Sequence, residues 1–246
     1  MPGSRSTWAL ISLAGLVAVW TAAAVVLQSD VLPGPMAVWD AGLREGWEFF
    51  WHQGVTLARV ASAFLLAMAI GSAIGIAMGM SDVTDRVFGG WLIFFLNLPA
   101  LVTIVLCYVW FGLIEVAAIA AVAINKIPNV AATLREGGRA LSKDLAEMAQ
   151  VYGLTWMDRM RHVVLPQLAP FFAVAARNGL ALVWKIVLVV ELLGRPNGVG
   201  FQIHAQFQLF DVAAILAYAL GFIVIVQIIE LGILGPWERA ANRWRR

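Results

Sequence analysis

Six stretches of this chain stay apolar for about 20 residues each, the length a helix needs to cross a bilayer. Runs of that length constrain the fold more than any other feature. The rest of the chain has too little polar surface to cover them in water. It is 61% hydrophobic and 13% charged, against about 45–50% and 25% in soluble domains. The chain therefore reads as an all-α integral membrane protein, one transmembrane unit over residues 1–246.

The expected spans cover residues 8–27, 55–80, 87–111, 115–134, 168–193 and 211–234. The first follows Arg5 and exceeds the roughly 7–15 residues of a signal-peptide core, so it reads as a retained span. Gly112-Leu113-Ile114 is short enough to force a hairpin between spans three and four. Residues 135–166 form a charged interruption, and the tail ERAANRWRR is basic.

Lysine and arginine sort the loops. With the N-terminus in the cytoplasm, that side holds Arg5, Arg86, Arg135, Arg139, Lys143, Arg159, Arg161, Arg239, Arg243, Arg245 and Arg246. The outer loops hold only Arg44 and Arg195, and Arg59, Lys126, Arg177 and Lys185 fall within spans. Both termini and the interruption are thus expected on the cytoplasmic face of a multi-pass protein. The outer loop 28–53 contains Leu32-Pro33-Gly34-Pro35, whose prolines fix a sharp re-entry. Its Trp39, Trp47 and Trp51 suit a membrane interface.

Gly71, Gly75 and Gly79 fall near one helix face and permit close approach of another backbone, within the chain or across a dimer. Pro99 and Pro128 lie mid-span, and each is expected to kink its helix. Cys107 has no partner for a disulfide, and His52, His162 and His204 lack metal-ligand spacing. No G-x-S-x-G, H-E-x-x-H or phosphate-loop lysine occurs, so this chain is not expected to be an enzyme or to bind a cofactor. A net charge of +2 supplies no field for nucleic acid.

In the interruption, Leu141, Leu145, Met148, Ala149, Tyr152 and Trp156 recur at steps of three or four, which makes an amphipathic helix. Ser142 suits its N-cap, Gly153 its end, and Pro166 the start of the next helix. Such a helix can lie on lipid or sit in a partner's groove. Periodicity does not choose between them.

Residues 147–166 read EMAQVYGLTWMDRMRHVVLP. This resembles the signature loop of permease subunits of ABC importers: E-A-A, three residues, G, nine residues, I-x-L-P. Glu147-Met148-Ala149, Gly153 and Val163-Val164-Leu165-Pro166 keep the spacing, with Met148 and Val163 as apolar substitutions. Other features narrow the resemblance to the sulfonate, taurine and nitrate branch. They are the Leu32–Pro35 turn, Thr56-Leu57-x-Arg59, Trp110-Phe111-Gly112, Trp184, Glu191 and Gly198-Val199-Gly200. Asn97-Leu98-Pro99 stands where the branch usually has Ile-Pro.

The resemblance implies about six transmembrane helices with a cytoplasmic coupling helix between spans four and five. It implies a bacterial inner-membrane importer with two ABC ATPase subunits, which bind the ATP and Mg, a second permease copy, expected to be identical, and an external solute-binding protein. Glu147, Met148, Ala149, Gly153, Leu165 and Pro166 would then contact the ATPase. Lys126, Arg177, Lys185, Glu191 and Pro99 are the candidates for a translocation path. Ionisable groups in spans face protein or water, so the charged members could instead pair between helices, for example Lys126 with Glu191. The implied function is ATP-driven import of a small solute, with a small organic or inorganic anion such as a sulfonate or nitrate favoured by the intramembrane cations. A neutral or heterocyclic nutrient remains open. An ion-coupled secondary transporter would need paired, interrupted helices with midplane acids, and Glu191 alone does not supply them.

Overall fold

A computed structural model describes residues 3–236. The basic residues of the tail, from Arg239 onwards, lie outside the described residues. Every regular element among those described is helical.

Helix α1, Gly3–Leu27, covers the first expected span. The loop 28–53 is not irregular throughout. Trp20 Nε1 donates to the Pro33 carbonyl at 3.0 Å, and Pro35 then opens α2, Pro35–Glu45. Proline at this position loses only an amide that has no helical acceptor, and its φ is already helical. Helix α2 lays Val38 and Ala41 against Ala214 and Ala217. Gly46, at φ 55, turns the chain into α3, Trp47–Met80. This helix starts earlier than expected and runs about 50 Å, well beyond a hydrocarbon core of about 30 Å. Trp39, Trp47 and Trp51 stay exposed.

The third expected span is two helices. Helix α4, Asp82–Leu96, and α5, Ala100–Phe111, meet at 94°. Pro99 has no amide to continue the ladder and disfavours helical geometry at Leu98. The Asn97 side chain caps the broken end by donating to the Ile93 carbonyl at 2.8 Å. Pro128 behaves differently. It lies inside α6, Glu115–Arg139, which continues without a break.

Helix α6 is the centre of the molecule, packed between α3 and α9, Leu165–Gly194. The glycine face of α3 makes the first of these contacts. A Cβ on Gly71 would lie 2.8 Å from the Ile127 carbonyl, and one on Gly79 2.5 Å from that of Arg135. A Cβ on Gly75 would overlap the Ala131 carbonyl. The stripe therefore serves contact within the chain. Ile104, Ala121, Val122, Val183, Val187 and Tyr218 form the main core beside it.

After α6 come α7, Lys143–Val151, and α8, Trp156–Arg159. A π-helical turn, Met160–Val164, joins α8 to α9, giving one helical run, Trp156–Gly194. The fifth span thus begins inside the interruption, earlier than residue 168. Pro166 would strike the His162 carbonyl in a regular helix, and the wider π turn just before it relieves that crowding. Helix α10, Val199–Gln208, and α11, Val212–Ile229, complete the bundle. Among the described residues four helical runs are long and apolar enough to cross a membrane, and the bent α4–α5 pair makes a fifth. The described side chains of α1 add the shorter apolar stretch Ile11–Leu27.

Candidate functional site

Helix α7 sits at one end of the bundle, built by three local devices. Ser142 caps its start by accepting from the Leu145 amide at 3.3 Å. Gly153, at φ 66, ends it. The Leu154 amide donates to the Ala149 carbonyl and the Gly153 amide to that of Gln150, both at 3.0 Å. That is the Schellman arrangement, and its left-handed residue favours glycine. Thr155 then caps α8 through the Asp158 amide.

Of the expected stripe, Ala149 alone is fully buried. Met148, Tyr152 and Trp156 are exposed, together with Val151 and Met157. The face that a soluble helix would hide is thus uncovered. The loop is anchored at its root: Gln167 accepts from the Ser142 amide at 2.9 Å and donates to the Val163 carbonyl at 2.8 Å. Beside it, Asp85 of α4 holds both Arg135 and Arg139 of α6, the latter at 2.6 Å. Glu147, Met148, Ala149 and Gly153 lie on this capped helix, and Leu165-Pro166 sit at the π turn behind it.

At the far end of α6, features that looked separate in sequence converge on one buried network. Glu191 is wholly buried and Arg59 nearly so. Arg59 Nη1 donates to Glu191 Oε1 at 2.7 Å and to the Asn197 carbonyl at 2.8 Å. Its Nη2 also reaches the Asn197 side chain. Glu191 Oε2 accepts from Thr56 Oγ1 at 2.9 Å and from the Gly200 amide at 2.8 Å. The Val199 amide donates to Thr56 Oγ1 at 2.8 Å, and the Gly198 amide to His52 Nδ1 at 2.9 Å. Glu115 completes the set by bridging Arg59 and Arg195, at 2.5 and 2.7 Å. A Cβ on Gly198 would overlap the Glu191 carboxylate, and one on Gly200 the Leu188 carbonyl. The Thr56–Arg59, Glu191 and Gly198–Gly200 motifs are thus one clamp on the α9–α10 turn.

The five candidate path residues are not brought together. Glu191 belongs to the clamp and pairs with Arg59, not with Lys126. Pro99 is exposed at the α4–α5 bend. Arg177 and Lys185 line a groove of about 190 Å³ between α9 and α11, where Arg177 Nε lies 3.8 Å from Glu230. Lys185 Nζ sits 5.6 Å from the Trp184 ring centre, a cation–π distance. Lys126 is 3% exposed and lines a separate cavity of about 370 Å³ with Asn129, Thr133 and Asn178. Sequence reading overlooked those three neighbours and Gln167. The four-residue spacing of Asn125, Asn129 and Thr133 on an apolar helix was the available signal.

Comparison with known proteins bears on this arrangement. A permease named for aliphatic sulfonate transport, SsuC of Escherichia coli strain K12, is 32% identical over 84% of this chain and 81% of its own length. SsuC of Bacillus subtilis strain 168 is 28% identical over 96% and 87%. The taurine transport system permease protein TauC of Escherichia coli strain K12 is 25% identical over 84% and 75%. Among solved structures, the methionine ABC transporter MetNI in an inward-facing conformation has a chain of TM-score 0.70. It covers 81% of this chain and 99% of its own at 19% identity, and so shares the fold. An amino acid ABC transporter matches with a TM-score of 0.65 at 22% identity, over 80% of this chain and 96% of its own. The family described as binding-protein-dependent transport system inner membrane component matches residues 49–234. With the fold and the signature loop in agreement, this chain belongs to that family and is an ABC transporter permease.

Proposed function

We propose that this chain is the membrane-spanning half of an inner-membrane importer whose α7 docks on an ATPase subunit. The observation that carries the reading is the uncovered apolar face of a helix capped at both ends and anchored through Gln167. Such a face fits a partner's groove. Glu147, Met148, Ala149 and Gly153 form the docking element, and Leu165-Pro166 join it to α9. Two ATPase subunits carry the ATP and Mg, a second copy of this chain completes the pore, and a solute-binding protein delivers cargo. The loop charges support cytoplasmic termini and a cytoplasmic α7.

The helical run from Trp156 to Gly194 gives closure of the ATPase pair a direct lever on the bundle. ATP drives the cycle only by favouring one access state over the other. The names of the relatives, with Lys126, Arg177 and Lys185 inside the spans, support a small anion such as a sulfonate as cargo. A full transporter reconstituted with Gly153→Asp tests the docking role. ATPase subunits should dissociate from the variant and substrate-stimulated hydrolysis should fall to the unstimulated rate. Retention of both would defeat the reading.

A further inference from the structure

The cavity on the α6–α9 face holds a cation that the protein leaves without a counter-charge. Lys126 lies roughly 16 Å along α6 from Glu115, near the depth of mid-bilayer. Among the described residues no carboxylate or hydrogen-bond acceptor reaches its Nζ, although the residue is 3% exposed. An unpaired ammonium at that depth is costly, and such groups persist where they face a water-filled path or a ligand.

The chain's own acids are engaged elsewhere. Glu191, the acid buried within an apolar helix, faces Arg59, and Glu230, on the turn that follows α11, lies 3.8 Å from Arg177. Glu115, Asp85 and Glu48 lie at helix ends.

The lining matches an oxyanion instead. Asn129 uses one amide hydrogen on the Asn125 carbonyl at 3.3 Å and keeps another. Asn178 has no partner among the described residues and is exposed at the cavity mouth. Thr133 donates to the Asn129 carbonyl at 3.0 Å, and no acid among the described residues lines the cavity. The site is built around the lysine: a Cβ on Gly179 would press to 3.3 Å from Lys126 Cε, so glycine there leaves the stem its channel.

We propose that Lys126, Asn129 and Asn178 form an oxyanion-binding site inside the permease, so that the membrane subunit itself checks the charge of its cargo. Lys126 supplies the positive charge and the two carboxamides supply directed donors. The proposal rests on the importer function proposed above and deepens it.

The test uses the purified permease–ATPase complex without binding protein. Probes are ethanesulfonate and its uncharged counterpart ethyl methyl sulfone, followed by calorimetry and by stabilisation against heat. Ethanesulfonate should bind and the sulfone should not. Lys126→Gln and Lys126→Met should each weaken ethanesulfonate about 10- to 100-fold, the worth of a charge-assisted contact. Lys126→Arg should restore most of it, and Asn178→Leu, at an exposed position, should weaken it less. Equal binding of both probes, no binding of either, or unchanged binding by a folded Lys126→Gln complex would each overturn the site. ATPase recruitment is scored in the same preparations. A wild-type chain that recruits no ATPase refutes the proposed docking of α7, whereas recruitment without charge-dependent binding refutes only the oxyanion site.

Discussion

Arg59 and Glu191 show how a span tolerates ionised groups: each is held by several donors or acceptors and neither is left with spare charge. Removing one partner is then far worse than removing both. Arg59→Met strands the carboxylate and should cost about 3–5 kcal/mol. Arg59→Met with Glu191→Gln removes both charges and keeps an acceptor for the Gly200 amide. The pair should lose less than the sum of the single changes, by about 1–3 kcal/mol, in unfolding of the purified protein. Gly198→Ala should abolish folded yield, because the new methyl group meets the Glu191 carboxylate at a residue whose φ is 108. None of these partners could be assigned from spacing. Thr56, Arg59, Glu191 and Gly198 were recognisable as motif residues, but Arg59 and Glu191 are 132 positions apart. Position within a span makes Lys126 one conceivable partner for Glu191, but it is Arg59 on α3 that reaches the carboxylate.

Glycines divide by what their helices touch. Gly75→Val drives a side chain into the α6 backbone and should destabilise at the upper end of the ~1–3 kcal/mol typical of overpacking. Gly15→Val in α1 meets nothing within 4 Å and should leave the melting temperature unchanged. At the end of α7 the requirement is conformational. Gly153→Val should cost about 1–2 kcal/mol locally and lower ATPase capture in pull-down, while Gly153→Asn, which tolerates the left-handed region, should do so less. The bundle's melting temperature should move with neither. Helix α7 was legible residue by residue because caps and Schellman turns are written within a few positions. The two prolines were not. Pro128 is buried in α6, which packs between α3 and α9 and continues past it, whereas Pro99 lies in a segment with an exposed outer face, where the two helices meet at 94°.

For the assembled protein, orientation and partners are the open tests. Cys107 is buried, so single added cysteines report cleanly. Val31→Cys and Val151→Cys are at strongly exposed positions at the two ends of the bundle. In intact cells a membrane-impermeant maleimide should label the first and spare the second, and permeabilised cells should show both. The reverse pattern would invert the topology. Crosslinking from Val151→Cys should then capture the ATPase.

Much of this architecture is local information. Apolar run length, loop charge and a 20-residue signature are each contained in contiguous sequence, and they specified a helical membrane permease before any contact was known. What remained depended on depth and on neighbours far along the chain. Those neighbours bound Arg59 to Glu191, carried the helix unbroken past Pro128 while it breaks at Pro99, and turned the glycine stripe inward to α6. They also left Lys126 facing a cavity with no carboxylate. Hydrophobicity acts on each segment by itself, whereas the cost of a buried charge depends on which other segments stand beside it.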